Sequence, residues 1–139
     1  LTCGSSQSLG TVRIGEGVNS GLISIPVAGE SHWFVVTFPM TNATFGGGTT
    51  RVQLLRNDDT DFKLQVMGSC AGESLACTAD TSPATAAAVT DWTFVDDQSL
   101  PGLMQFTSRV TPWPAEVYFR VTRTTPGRSC GIYQVRVSR

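Results

Sequence analysis

The stretch W-P-A-E-V-Y-F-R-V-T-R, residues Trp113–Arg123, decides the fold class of this chain. Its apolar side chains alternate with polar ones, and this period of two indicates a half-buried β-strand. The alternating apolar positions are Val117, Phe119 and Val121. The segment T-T-P-G-R-S-C-G follows, and the alternation then returns at Tyr133, Val135 and Val137. Two such strands joined by a Pro-Gly segment predict an antiparallel hairpin with one buried face. The rest of the chain must supply the layer that covers this face.

Seven further segments have the composition of short strands. They are residues 9–14, 21–27, 32–38, 50–56, 61–67, 91–95 and 103–108. No segment has a convincing helical apolar period over a useful length, so the pattern predicts about nine strands. We therefore expect an all-β protein, an antiparallel two-sheet β-sandwich of jelly-roll-like form.

The faces of two strands can be assigned from their side chains. In residues 61–67 we expect the alternate apolar side chains to point inward, and these are Phe62, Leu64 and Val66. Residues 32–38 are apolar on both faces, which predicts a central strand covered on both sides. In that strand we expect Trp33 to be buried and His32 to lie at the surface. The aromatic side chains expected in the core are Trp33, Phe62, Trp92, Phe94 and Phe119.

Length and charge narrow the possible functions. The 139 residues form one expected domain, 1–139, with residues 1–8 as a polar N-terminal segment. Charged residues make up 15% and the net charge is −1, so no basic patch indicates nucleic acid or an anionic membrane. The longest apolar run, residues 33–40, is too short to span a bilayer. No signal peptide is present. We therefore expect either that one has been cleaved off or that the chain is a monomeric module of a larger protein.

The four cysteines indicate whether the protein belongs to an oxidising, extracellular compartment. They allow three pairings. We favour Cys70 with Cys77, which are close in sequence, and Cys3 with Cys130, because sandwiches often bring their termini together. A zinc site is the alternative, but neither pair has C-x-x-C spacing and the chain has a single histidine. Disulfides predict a secreted, extracellular protein.

Four segments together resemble a known family. They are E-S-H-W-F-V-V-T-F from Glu30, D-F-K-L-Q-V from Asp61, W-P-A-E-V-Y-F-R-V from Trp113 and G-I-Y-Q-V-R-V from Gly131. Their order resembles the bacterial pre-peptidase C-terminal domain over most of residues 20–139. The segments around the cysteines look like a disulfide-containing secreted variant. The resemblance implies a jelly-roll-like sandwich attached to secreted enzymes, usually non-catalytic, with proposed roles in substrate adhesion or export. Some such relatives bind calcium and an extracellular polymer.

Two acidic groups are candidate metal ligands. The first is the cluster of Asp58, Asp59 and Asp61, whose oxygens suit a hard cation such as calcium. The alternative is that the aspartates of the turn N-D-D-T bond to nearby backbone groups and hold no metal. We favour the turn interpretation, and we interpret Asp96 and Asp97 in the same way. The second group is implied by the family resemblance and comprises Glu16, Asn19 and Glu30, but His32 stands where an aspartate ligand would be expected. We therefore predict no metal and no cofactor.

Other side chains are candidates for catalysis or binding. His32 is the only histidine, but no nucleophile motif surrounds it, so we predict no catalytic residue. Trp113 lies between Pro112 and Pro114, and Tyr118 is on the polar face of its strand. These two aromatic side chains are the candidates for an exposed binding surface; the alternative is that they cap the edge of the sandwich.

Three functional hypotheses follow. The leading one is a non-catalytic accessory or adhesion module of a secreted bacterial protein that binds an extracellular polysaccharide or protein. The second is a ligand-free structural domain that aids export or folding of a neighbouring domain. The third is a glycoside-active enzyme, for which the sequence distinguishes no pair of carboxylates.

Overall fold

Two packed β-sheets carry the alternating apolar side chains of this protein. The computed structural model describes residues 2–40, 48–72, 74–75, 88–95 and 113–139. The strands in these residues are β1 (Gln7–Thr11), β2 (Gly17–Asn19), β3 (Ile23–Ser24), β4 (Ser31–Thr37), β5 (Thr49–Asn57), β6 (Phe62–Met67), β7 (Asp91–Val95), β8 (Glu116–Arg123) and β9 (Ile132–Ser138). The predicted all-β sandwich is confirmed. The predicted strand at residues 103–108 lies outside the described residues, and β2 lies between the predicted strands 9–14 and 21–27, where no strand was predicted.

The two sheets have simple strand orders. Sheet I has the order β1-β4-β8-β6, and sheet II has the order β2-β9-β5-β7, with β3 also paired to β9. In the described part of the chain, β1 and β4 form a parallel pair, whereas the other strand pairs are antiparallel. Since β4 lies between β1 and β8, its prediction as a central strand is confirmed. The predicted cover on both faces is wrong, because the outward side chains of β4 are only half-buried.

The predicted hairpin between the last two strands is wrong. Strand β8 pairs with β4 and β6 in sheet I, whereas β9 pairs with β2, β3 and β5 in sheet II. Residues 124–131 therefore cross from one sheet to the other. A period of two identifies the buried face of a strand but not its neighbour, so two consecutive half-buried strands can stack face to face instead of pairing edge to edge.

The core lies between these faces. All six alternating positions of β8 and β9 are fully buried, as predicted: Val117, Phe119, Val121, Tyr133, Val135 and Val137. The Phe34 and Phe119 rings stack with their centroids 5.1 Å apart, and the Tyr133 ring lies 5.0 Å from that of Phe62. Of the aromatic residues predicted in the core, Phe62, Trp92, Phe94 and Phe119 are buried.

Strand β4 has the opposite phase from the prediction. Phe34 is directly opposite Phe119, and residues that are opposite each other in a sheet share a face, so Phe34 points into the core. His32 is then on the inner face and Trp33 on the outer one. The run H-W-F-V-V-T-F is apolar at nearly every position, so its alternation did not reveal the phase, and the predicted burial of Trp33 is wrong because that side chain is only half-buried.

The disulfide pairing also differs from the prediction. Cys3 is bonded to Cys70, which contradicts both favoured pairs, and Cys130 is an exposed free thiol. Cys77 lies outside the described residues. Cys3 precedes β1 and Cys70 follows β6, the outermost strands of sheet I, which are separated by three strand spacings, or about 14 Å. Because their Cα atoms are 5.5 Å apart, the two flanking segments approach each other across the breadth of the sheet.

This disulfide should contribute strongly to stability. It joins residues 67 apart, and in the chain-entropy model a closure of that length stabilises a protein by about 4 kcal/mol. We expect the double variant Cys3→Ser/Cys70→Ser to lose stability of this order in guanidinium unfolding. Cys130→Ser is the matched control, and a double variant as stable as this control would contradict the prediction.

Candidate functional site

Three outward side chains form a row across the middle of sheet I. Gln65 on β6 is opposite Arg120 on β8, and Arg120 is in turn opposite Trp33 on β4. Each of the three is half-buried. The guanidinium carbon of Arg120 lies 5.6 Å from the centroid of the Trp33 ring, within the range of a cation–π contact. The centre of this face is therefore an aromatic ring with a cation over it.

A second row lies beside the first. It consists of Lys63 on β6, Thr122 on β8 and Ser31 on β4. The Ser31 and Thr122 hydroxyl oxygens are 2.6 Å apart and share a hydrogen bond. These two rows, together with the adjacent Tyr118, are called here the outer face of sheet I. Strand spacing makes the face about 10 Å wide across its three strands.

Tyr118 lies where the sequence placed it, on the outer side of β8. It is opposite Val35 and half-buried, and its hydroxyl donates a hydrogen bond to Glu116 Oε1 at 2.9 Å. This hydrogen bond to a carboxylate raises the pKa of the Tyr118 phenol. Tyr118 is therefore a neutral hydrogen-bonding aromatic next to Trp33 and Arg120.

Trp113 does not belong to this face. Its side chain is buried, and its indole N–H donates a hydrogen bond to the Phe38 carbonyl oxygen at 2.9 Å. Its ring packs edge-on against Phe94, and Arg139 covers it at 4.5 Å. The prediction of an exposed Trp113 is wrong, because flanking prolines constrain the backbone without indicating where the indole points.

The aspartates of the turn before β6 are engaged by protein groups. Asp58 pairs with Arg56 at 2.8 Å and accepts the Ile132 backbone N–H at 3.0 Å. The hydrogen bond from Arg56, followed by the one from Ile132, lowers the pKa of Asp58. Asp61 pairs with Arg123.

The local side chain–backbone bonds of this turn are made by Asn57, whose amide bonds the Phe62 N–H and carbonyl oxygen at 3.0 Å. Asp58 and Asp61 instead bond to the Arg56 side chain and to the distant Ile132 and Arg123, so the predicted role of these two aspartates in the turn is wrong.

The second set of candidate calcium ligands is spread over both sheets. Glu16 accepts the Arg13 backbone N–H at 2.8 Å, and Asn19 on β2 of sheet II accepts a hydrogen bond from Arg136 at 3.3 Å. Glu30 instead precedes β4 of sheet I. Within the described ranges, no group of three or more His, Cys, Asp or Glu side chains is placed to hold a metal ion. Asp96 and Asp97 lie outside those ranges.

A buried ion pair fixes one end of the sandwich. Arg123 is 2% exposed, and its Nε lies 3.4 Å from Asp61 Oδ2. Its NH1 donates to the carbonyl oxygens of Pro26 at 3.0 Å and Gly127 at 2.7 Å. The guanidinium therefore joins three loops: the one before β6, the one after β3 and the one after β8.

Backbone contacts reinforce this junction. The Gly29 N–H donates to the Arg123 carbonyl at 2.9 Å, and the Thr124 N–H donates to the Asp61 carbonyl at 2.8 Å. The sequence analysis did not single out Arg123. Arg123 is two residues beyond Val121, so it falls on the inward face of β8. This alternation is the signal in the sequence that indicates its burial.

His32 is at the same end, on the inner face. Its Nδ1 lies 3.0 Å from the Tyr133 hydroxyl. Burial raises the pKa of Tyr133 and lowers that of His32, because the apolar surroundings disfavour both charged forms. The prediction of a surface imidazole is wrong, since the side chain is half-buried and bonded to a core tyrosine.

Comparisons with protein-family models, curated proteins and solved structures gave no match for this chain. The described residues include no helix long and apolar enough to cross a membrane. The Cys3–Cys70 disulfide is compatible with an extracellular location, because such bonds persist in oxidising compartments.

Removing the buried guanidinium should destabilise the fold severely. Arg123→Met leaves the Asp61 carboxylate buried without its cation, and breaking such a pair costs about 3–5 kcal/mol. Arg51→Met is the matched control, since it breaks the solvent-exposed pair between Arg51 and Asp91 and should change stability little. The free energy of unfolding in urea measures both effects, and equal losses would contradict a structural role for the buried pair.

Acidification should destabilise the protein through His32. Its pKa in the folded state is below the unfolded value of about 6.5, so the unfolded state takes up the proton first. The contribution of His32 to the free energy of unfolding is therefore complete above pH 6.5. It is lost as the pH falls from there through the folded-state pKa of His32, by at most about 1.4 kcal/mol per pH unit. We expect a lower urea midpoint at pH 5.5 than at pH 7.5. The His32→Asn variant should show a smaller difference, and an unchanged difference would exclude His32 as its source.

Proposed function

We propose that this domain is a non-catalytic binding module of a secreted bacterial protein, and that the outer face of sheet I binds an extracellular polymer. The observation that carries the proposal is the outward position of Trp33 beside Arg120 and Tyr118. Such a position is unusual for a tryptophan because burying its large ring in the core would remove far more apolar surface from water. An aromatic ring on an open sheet supplies a rigid surface for stacking against a sugar or a peptide.

The character of the face supports a binding role. Its remaining side chains are polar: Ser31, Lys63, Gln65 and Thr122. The Ser31 and Thr122 hydroxyls bond to each other and the Gln65 amide donates to Ser74, and each of these groups has a second donor or acceptor with which it can bond a ligand. Binding surfaces commonly combine one aromatic anchor with such polar neighbours. The resemblance to the pre-peptidase C-terminal domain supports the same proposal, because that family is attached to secreted enzymes and has suggested roles in adhesion.

A test of the proposal is binding to a panel of extracellular polymers. Affinity electrophoresis and pull-down with cellulose, chitin, xylan, polygalacturonate, peptidoglycan and collagen should show retention by at least one, without release of soluble fragments. Trp33→Ala should weaken that binding about 30-fold or more, because a central tryptophan contributes about 2 kcal/mol or more to an interface. Melting curves will establish that the variant remains folded.

Leu55→Ala is the matched control. Leu55 is a large apolar side chain on β5 of sheet II and is 50% exposed, so its loss should leave binding unchanged. If no polymer binds, or if Trp33→Ala binds as well as the native protein, the binding role is wrong. A ligand-free structural domain that aids its neighbour would then be the better explanation.

A further inference from the structure

On sheet II, both arginines of β5 have carboxylate partners, whereas Arg136 on β9 is bonded to the Asn19 amide oxygen. Arg51 pairs with Asp91, and Arg56, at the other end of β5, pairs with Asp58. The hydrogen bond from Arg51 lowers the pKa of Asp91, so its carboxylate is charged at neutral pH. These two cations on sheet II therefore carry their own counterions.

Among the described residues, the cations on the outer face of sheet I have no carboxylate partners. No carboxylate of the described residues forms an ion pair with Arg120 or Lys63. The nearest acid along β8, Glu116, accepts the Tyr118 hydroxyl instead. Arg120 and Lys63 occupy diagonal positions on neighbouring strands, and the backbone positions of such a pair are about 7–8 Å apart. The Arg120 guanidinium lies over Trp33 on β4, whereas Lys63 is on β6 on the other side of β8, so an extended anionic ligand that crosses the face can contact both cations.

The geometry favours a ligand that is both anionic and ring-shaped. A guanidinium presents parallel N–H donors that match the two oxygens of a carboxylate, and a lysine adds a second positive charge. Trp33 is opposite Arg120, so an apolar ring surface and a carboxylate site are adjacent. The Ser31 and Thr122 hydroxyls lie in the next row. A sugar that carries a carboxylate has groups that suit all three features.

We propose that the polymer bound by the outer face of sheet I is an anionic polysaccharide of the uronic-acid type, whose carboxylates bind Arg120 and Lys63 while a sugar ring packs against Trp33. This inference rests on the proposed binding function. It assigns the ligand class from charge complementarity, because the positive groups on this face have no carboxylate counterion in the described structure.

The test uses oligogalacturonate and its carboxyl-reduced, neutral counterpart, with binding measured by calorimetry at two salt concentrations. We expect the native protein to bind the anionic oligosaccharide at least tenfold more tightly than the neutral one, and more weakly at high salt. Arg120→Gln/Lys63→Gln should lose at least tenfold in affinity and most of the salt dependence. Arg120→Lys should be intermediate, because it keeps the charge but loses the two parallel donors.

Arg136→Gln is the matched control. Arg136 is an exposed arginine on sheet II, bonded to Asn19, and its replacement should leave the affinity unchanged. If it weakens binding as much as the double variant does, the attraction is a general effect of positive charge and the inference is wrong. Equally tight binding of an acidic polypeptide such as polyglutamate would overturn the assignment to a polysaccharide.

The two proposals can fail separately. If the neutral oligosaccharide, or another neutral polymer of the panel, binds as tightly as the anionic one and Trp33→Ala abolishes that binding, the module binds a polymer but the anionic assignment is wrong. If neither oligosaccharide and no polymer binds, both proposals are wrong. Thermal melts of each variant will show that a loss of affinity does not reflect unfolding.

Discussion

The buried guanidinium of Arg123 is the interaction on which this end of the sandwich depends. A charged group with 2% exposure is tolerated only where its donors find partners, and here they find the Asp61 carboxylate and two backbone carbonyls. Those partners belong to three separate loops. Satisfying one side chain therefore fixes three chain segments against each other, and it fixes where β6 and β8 begin and end.

The second constraint is covalent and acts on sheet I. Because Cys3 precedes β1 and Cys70 follows β6, the disulfide joins segments from the two outermost strands of this sheet. Strand β1 is short, mostly exposed and parallel to β4, so few buried contacts of its own hold it in place. The bond limits how far this strand can separate from the sheet. The disulfide therefore restrains the two edges of the sheet that carries this outer face.

The outer faces of the two sheets are similar but differ in one respect. Both outer faces are polar, and both carry cations. On sheet II the arginines of β5 have aspartate partners, whereas on sheet I the cations stand beside an outward tryptophan without a carboxylate in the described structure. The cation–π contact with Trp33 stabilises Arg120 modestly and leaves its charge without a carboxylate counterion among the described residues. Sheet I therefore combines an outward aromatic ring with cations that lack such a counterion.

The fold class and most of the inward side chains follow from the sequence alone. Alternation in β6, β8 and β9 reports burial directly, because a strand with one wet face must place its apolar groups on the other. The turn before β6 was also predictable, since Asn57 bonds the nearby Phe62 backbone as asparagine does in such turns. The distant partners of Asp58 and Asp61 were not. What the sequence left undetermined was every relation between distant elements.

Three such relations were decided only by the tertiary structure. Strands β8 and β9 lie in different sheets, although each pattern alone was equally compatible with a hairpin. The phase of β4 followed from the pairing of Phe34 with Phe119, because its own sequence is apolar on both faces and contains no signal of phase. The pairing of Cys3 with Cys70 followed from the path of the chain around sheet I. The local sequence pattern indicates which side of a strand is buried. The partner strands, the phase of a strand that is apolar on both faces and the pairing of cysteines depend on what packs against that side.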